Sequence, residues 1–446
     1  MFVKKTGSDQ FVTKHLLRRA GFGTTPPELL HYESMSYEKC VKVLLEPDHI
    51  DDSQLEDLIT GEKFDFTRTD ELRRWWILRM AFTRRPLQEK MTLFWHGHFA
   101  TSIQKIESPY SMYMQNLVMR RMALGNFHDL LLAMTKDPAM IIWLDNQQNK
   151  KGQPNENYAR EVMELFSMGI GNYSERDIKE AARAFTGWQT HPDGFLFNPK
   201  DHDYGKKTFL GSTGPFNGDE IIEIIVQQNA TSKFLAKKLC KFFVSDEPSQ
   251  AIETDVANAY KPKGDNIKHM LSTLFLHDEF RQAAYHAKIK SPVEFVIGSL
   301  KTLQVTQLDN DCSSFMNRMG QNLFEPPNVK GWDGGMAWIA TDTMMERFNF
   351  TSRLTQEKFD AIEGFIKPSA LVEEQGLQNP QAMVDYFLEL LVDDDVSAAI
   401  APDLVHYMTS DSAGKAIDPM QNDKVLDSKL RGLVHLIMTL PTYQFA

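Results

Sequence analysis

Helix-start signals followed by apolar residues at 3.6-residue spacing recur along most of this chain, and they leave little room for anything but a helical fold. Thr69 and Asp70 can cap a helix carrying Leu72, Trp75, Trp76, Leu78, Met80 and Phe82, and Pro86 suits the first turn of the next, which runs through Phe99. Ser108-Pro109 opens a further segment ending near Gly125, and Asn126 can cap residues 127–136 before Pro138 interrupts. Ser174-Glu175-Arg176-Asp177 resembles a capping box ahead of 178–188. Between Pro192 and Pro215 the pattern changes to Gly, Pro, Asn and Asp punctuation, which predicts a small β-hairpin or loop insertion near residues 195–210. Helical periodicity returns over 218–243 and 266–275, and 320–338 is a second Gly/Pro-rich interruption. The expectation is a mainly α protein: a multi-helix globular array forming one domain over 1–446, within which 356–446 would be a helical C-terminal subdomain. No fixed-period repeat supports a solenoid.

One predicted helix carries the best lead to chemistry. In Pro154-Asn155-Glu156-Asn157-Tyr158-Ala159-Arg160-Glu161-Val162-Met163-Glu164-Leu165, three carboxylates, two amides and an arginine lie together. At about 100° per residue, Asn157, Arg160, Glu161 and Glu164 share one stripe, while Tyr158, Val162, Leu165 and Phe166 form an apolar one. Glu161 is the candidate general base, ahead of Glu156, because Asn157 and Glu164 share its stripe and can orient it. Glu164 would raise its proton affinity and Arg160 would lower it, a balance the sequence leaves open. The structural alternative is a solvated face with a weak ladder of Glu156, Arg160 and Glu164, worth roughly a few tenths of a kcal/mol per pair.

Three other stretches could complete a site. Phe94-Trp95-His96-Gly97-His98-Phe99 offers two imidazoles, the commonest metal ligands. On a continuous helix His96 and His98 would diverge by about 200°, so they could share an ion only if the helix ends or distorts near Gly97. Asp201-His202-Asp203-Tyr204-Gly205-Lys206-Lys207 places an imidazole, carboxylates and ammonium groups on a tight loop, a composition that turns also favour for conformational reasons alone. In Trp332-Asp333-Gly334-Gly335-Met336-Ala337-Trp338 the indoles either present flat faces to a ligand or anchor a loop by burial.

Taken jointly, His96, His98 and Glu156 are the expected holders of a divalent metal, with Zn, Mn or Fe suiting mixed imidazole and carboxylate donors better than Ca. Glu161, Glu164, His202 and Asp203 are the expected catalytic groups, and Asn157, Arg160, Lys206, Trp332 and Trp338 the expected substrate contacts. Such a site requires His96 or His98 to approach the 156–164 stripe. Cys40, Cys240 and Cys312 are too widely spaced for a thiolate centre and are expected as core thiols. Gly21-Phe22-Gly23 lacks the remaining glycines of a dinucleotide fingerprint, and no Gly-x-Ser-x-Gly elbow occurs.

Several of these stretches recur in the same order in a bacterial family. They are Leu16-Leu17-Arg18-Arg19-Ala20-Gly21-Phe22-Gly23, Phe94-Trp95-His96-Gly97-His98-Phe99, Asn155-Glu156-Asn157-Tyr158-Ala159-Arg160-Glu161, Phe185-Thr186-Gly187-Trp188, His202-Asp203-Tyr204-Gly205-Lys206-Lys207, and Pro326-Pro327-Asn328-Val329-Lys330-Gly331-Trp332. On them the chain resembles the domain of unknown function 1800 family. The resemblance implies bacterial origin, usual export and frequent genetic company with a sulfatase-like family; it implies no particular reaction. The first ten residues contain lysines but no apolar signal core, so the expected location is cytoplasmic as sequenced, or exported if a native signal peptide has been removed.

A composition of 42% hydrophobic and 24% charged residues is that of a soluble globular protein, and no apolar run approaches the roughly 20 residues that span a bilayer. The formal charge of −11 argues against a nucleic-acid surface. Two functions fit these features. In one, the His/Glu/Asp groups converge in a cleft and assist hydrolysis or transfer with a metal; in the other, the cleft binds without turnover, as an accessory to a sulfatase-like protein partner.

Overall fold

Short polar side chains set the helix starts. Ser174 accepts the Asp177 N–H while the Asp177 carboxylate accepts the Ser174 N–H at 2.9 Å, opening the helix Glu175–Ala184. The same reciprocal box opens Pro26–Glu33 from Thr25, Gly218–Val226 from Asn217 and Pro292–Thr302 from Ser291. Asn126 caps Phe127–Thr135 and Ser108 caps Pro109–Met122, as their positions before apolar periodic runs predict. The helix Thr69–Phe82 differs: Arg68 occupies the cap position, and Asp70 lies in the first turn, where it pairs with Arg68 and complements the helix dipole.

The computed structural model describes residues 8–191, 194–264, 266–283, 286–306, 308, 311–359, 362–363, 366–393 and 397–446. It is mainly helical. The expected β insertion is there and starts earlier than the punctuation suggests. Trp188–His191 pairs antiparallel with Gly194–Phe197, Trp188 opposite Phe197, and Lys207–Phe209 pairs with Ser212–Gly214. A two-residue pairing joins Lys358–Phe359 to Ile362–Glu363.

Two apolar clusters form the core. Trp95, Phe99, Phe127, Tyr158 and Phe185 belong to one, and Trp75, Trp76, Phe324, Phe350 and Phe387 to the other. The helix Pro86–His98 serves both, with Trp95 in the first and Leu93 in the second, so almost every residue along it is buried. A helix enclosed on all sides must pair its charged residues. Glu89 accordingly accepts from Arg120 and from the Trp76 indole at 3.0 Å, and Lys90 meets Glu294. Helices Pro380–Val392 and Asp423–Met438 feed Val384, Phe387, Leu433 and Ile437 into the same cluster as Trp75 and Trp76.

Arg19, in the N-terminal stretch, is buried and donates to the carbonyls of Phe243 at 2.6 Å, Val244 at 2.7 Å and Ala446 at 3.1 Å, tying three distant segments together. The three cysteines are buried free thiols. Among the described residues no helix is long and apolar enough to cross a membrane.

Candidate functional site

The helix Pro86–His98 continues unbroken through Gly97, so the two histidines part as a continuous helix requires. Both are buried. His96 Nε2 accepts the Phe324 N–H at 3.0 Å, and its ring packs on Trp76, centroids 5.1 Å apart. His98 Nε2 donates to the Phe166 carbonyl at 2.9 Å, just past the acidic helix and not at its carboxylates. Burial holds His96 at a pKa of about 3, and burial with the Lys238 ammonium holds His98 at about 3. Both rings are therefore neutral, and each spends Nε2 on a backbone group. Glu156 is elsewhere on the surface, 3.9 Å from Arg160. Among the described residues no three His, Cys, Asp or Glu side chains gather closely enough to hold a metal ion, so the expected set of His96, His98 and Glu156 is not assembled.

The acidic helix forms as Glu156–Glu164, capped by Asn155. Most of its polar face is committed to the fold. Arg160 makes a bidentate pair with Glu175 at 2.8 and 3.0 Å, Glu164 accepts the Tyr173 hydroxyl at 2.9 Å, and Asn157 Nδ2 donates to the Leu144 carbonyl at 3.4 Å. Arg160 and Asn157 thus fasten neighbouring elements. Glu161 is the exception. Its half-buried carboxylate makes no hydrogen bond among the described residues, and its pKa is raised by burial and by Glu164, with Arg160 and Lys330 opposing.

The 201–207 stretch is a structural corner. His202 is buried and its Nδ1 donates to the Thr186 carbonyl at 2.8 Å, with its ring against Tyr204. Asp203 pairs with Arg183 at 2.8 Å and also accepts the Gly205 N–H, which holds it at about 2. A carboxylate held so acidic is a poor general base at neutral pH. Lys206 is exposed, and its carbonyl accepts from Arg183 at 3.2 Å. The charges acting on His202 are Lys207, Asp203 and Glu220, and those acting on Glu161 are Glu164, Arg160 and Lys330.

What does assemble lies around the 320–338 loop. Phe324 sits at φ 64°, a left-handed conformation that bulky residues avoid; His96 holds its N–H and the Ile103 N–H donates to its carbonyl at 2.9 Å. This twist presents Glu325 to three donors: Arg73 at 2.6 Å, Gln104 and Asn322. Further along, Gly331 has φ 85°, and a Cβ there would stand 2.4 Å from the Gly97 carbonyl, so nothing larger than glycine fits. That close approach lays Trp332 on Gly97, with its Cε3 3.9 Å from the position of a Cβ there.

A cleft of about 400 Å³ results, lined by Trp332, Trp143, Ser102, Lys105, Asn322 and Glu325 among others. Lys105 is neutralised there by Asp145 at 3.0 Å and donates to the Trp143 carbonyl at 2.7 Å. Lys330, which belongs to this loop, opposes the rise in the proton affinity of Glu161.

Trp332 thus lines a cleft. Trp338 does not: it is only 7% exposed and packs beneath Gly320, anchoring the loop instead. Sequence reasoning missed Lys105, Trp143, Asn322 and Glu325. Glu325 directly precedes the Pro326–Trp332 stretch and could have been read with it, whereas Trp143 ends a short apolar run indistinguishable from core.

A family model described as "Protein of unknown function (DUF1800)" matches residues 15–445. No curated protein and no solved structure matches the chain.

Proposed function

We propose that this chain, which belongs to the DUF1800 family, binds a ligand in the cleft between Trp332 and Trp143. The carrying observation is that this cleft has indole surfaces and neutral polar groups while its charged side chains are already paired, Glu325 with Arg73 and Lys105 with Asp145. Concave sites with aromatic walls and a few positioned polar groups are where small molecules bind. Pairing Glu325 and Lys105 inside the protein suits them to holding shape more than to proton transfer. An accessory role beside a sulfatase-like protein is compatible with this reading where this chain takes the desulfated product, since the charged side chains of the cleft are already paired.

Saturation-transfer NMR against a library of neutral small molecules tests the reading. Binders are expected whose signals disappear in both Trp332→Ala and Trp143→Ala, with both variants folded by circular dichroism. Binders indifferent to both variants would remove the cleft as the site.

Glu161 supports a second reading, hydrolysis or transfer, because a carboxylate with raised proton affinity and no hydrogen bond among the described residues is suited to acid–base work. Glu161→Gln keeps the size and removes the charge. On this reading the variant folds and binds the ligand found above but loses turnover by about 10²-fold or more. Unchanged turnover per folded molecule, or a lowered melting temperature as the sole effect, assigns Glu161 to the scaffold.

A further inference from the structure

We infer that the cleft is one end of a longer groove that takes a linear, uncharged carbohydrate chain. The inference rests on the cleft being a ligand site and adds the class of ligand. Its starting point is continuity: a second cavity of about 670 Å³ shares Asn317 and Asn322 with the first, of about 400 Å³. Each alone is within the range of a small-molecule pocket of roughly 300–1,000 Å³, and together they exceed it. Two cavities that share a wall suit an extended ligand, with Trp332 and Trp143 at one end.

Charge narrows the class. The cations along the groove all have carboxylate partners within the protein: Arg73 with Glu325, Arg68 with Asp70, and Arg74 with Glu62, each at 2.6 Å, and Lys105 with Asp145. Glu71 also lines the far cavity, with no cation on it within 4 Å among the described residues. The groove therefore offers no unpaired positive charge to phosphate, sulfate or uronate groups, in a chain whose formal charge is −11.

The remaining polar groups are neutral. Asn317, Asn322 and Gln104 supply amides, and Ser102 and Ser313 hydroxyls; the Asn317 side chain makes no hydrogen bond among the described residues. Amides and hydroxyls both donate and accept, which matches sugar hydroxyls. Indole surfaces match the C–H faces of pyranose rings, apolar on the face and polar at the rim. A peptide fits less well. Extended proline-rich segments use aromatic surface along their length, whereas here it is confined to one end and the far cavity is lined mainly by polar side chains.

Isothermal titration calorimetry tests the inference with full-length protein and neutral gluco-, xylo-, manno- and N-acetylglucosamine oligomers of one to six units. Sulfated and uronic oligomers and a proline-rich peptide serve as comparisons. At least one neutral series is expected to bind, with affinity rising about tenfold or more between two and five units and little change on adding salt. Trp332→Ala should weaken every length about tenfold. Ser313→Ala, which touches the far cavity alone, should weaken only the longer ones, a dependence that general misfolding would not produce.

Failure of every neutral series overturns the inference, as does preferential binding of the charged oligomers or the peptide, or affinity independent of length. If a non-carbohydrate binder from the NMR screen still depends on Trp332, the cleft reading stands and the carbohydrate assignment alone falls.

Discussion

Acidification below pH 6.5 is expected to destabilise this protein steeply, because three histidines are folded into its interior as neutral rings. His15, His96 and His98 are each held at a pKa of about 3, against an ordinary value of 6.5. Burial is the leading cause in all three, with Arg19 and Arg18 adding to it at His15 and Lys238 at His98. Between pH 6.5 and 3 the unfolded chain binds protons that the folded chain refuses, so stability is full above 6.5 and is lost as the pH falls. Each histidine removes about 2 kcal/mol by pH 5 and about 3 kcal/mol by pH 4.

Asp137 acts in the opposite sense. Burial raises its pKa to about 6, so the folded state binds the extra proton between about pH 4 and 6, which returns about 2 kcal/mol. The net loss by pH 4 from these four groups, about 7 kcal/mol, is comparable to the whole stability of an ordinary domain. Urea denaturation from pH 7.5 to 4.5 measures it. The dependence should be reduced by about one proton in His98→Gln, whose amide can still donate to the Phe166 carbonyl. Stability that is flat between pH 7 and 5 would show that these rings take up protons without unfolding the protein.

Removing one partner of the Lys90–Glu294 pair is expected to destabilise the fold by about 3–5 kcal/mol. Lys90 lies almost wholly buried, its ammonium donating to the Gly21 carbonyl at 2.9 Å and to Glu294, with the Phe22 ring 4.9 Å away. Burial works against the charge on Glu294, but Lys90, the Ser291 N–H and Arg19 outweigh it and hold the carboxyl at about 2. Glu294→Gln therefore strands a buried ammonium among aromatic rings. Lys90→Met together with Glu294→Gln removes both charges and should recover more than half of that loss, since an apolar side chain suits the site and no charge is left unpaired. Equilibrium unfolding of the two single variants and the double variant completes the cycle. Additive losses would show that the pair is not coupled.

The helical architecture was legible because it is local. A cap residue acts within three positions, as Ser174 does with Asp177, and an apolar face repeats every 3.6 residues, so both are written in contiguous sequence. The parting of His96 and His98 was legible for the same reason, since a continuous helix fixes their angle. The proton affinity of Glu161 was only half legible. Glu164 and Arg160 are neighbours on its own helix, whereas the burial that raises its pKa and the Lys330 charge that opposes it come from elsewhere in the fold.

Tertiary structure alone decided the rest. Trp332 and Trp338 stand in one short glycine-rich stretch with similar local sequence, yet one lines a cleft and the other is buried, because the close approach of Gly331 to Gly97 places the first and Gly320 covers the second. Residues that cluster in sequence also meet in turns and ion pairs for structural reasons, as Asp203 does with Arg183, Arg160 with Glu175 and His202 with Thr186. The cleft instead gathers Ser102, Trp143, Asn322 and Trp332 across more than two hundred positions of chain. Helix propensity and capping act over a turn, but a cleft is made by whichever distant surfaces the buried core holds face to face, and no spacing within one segment encodes that.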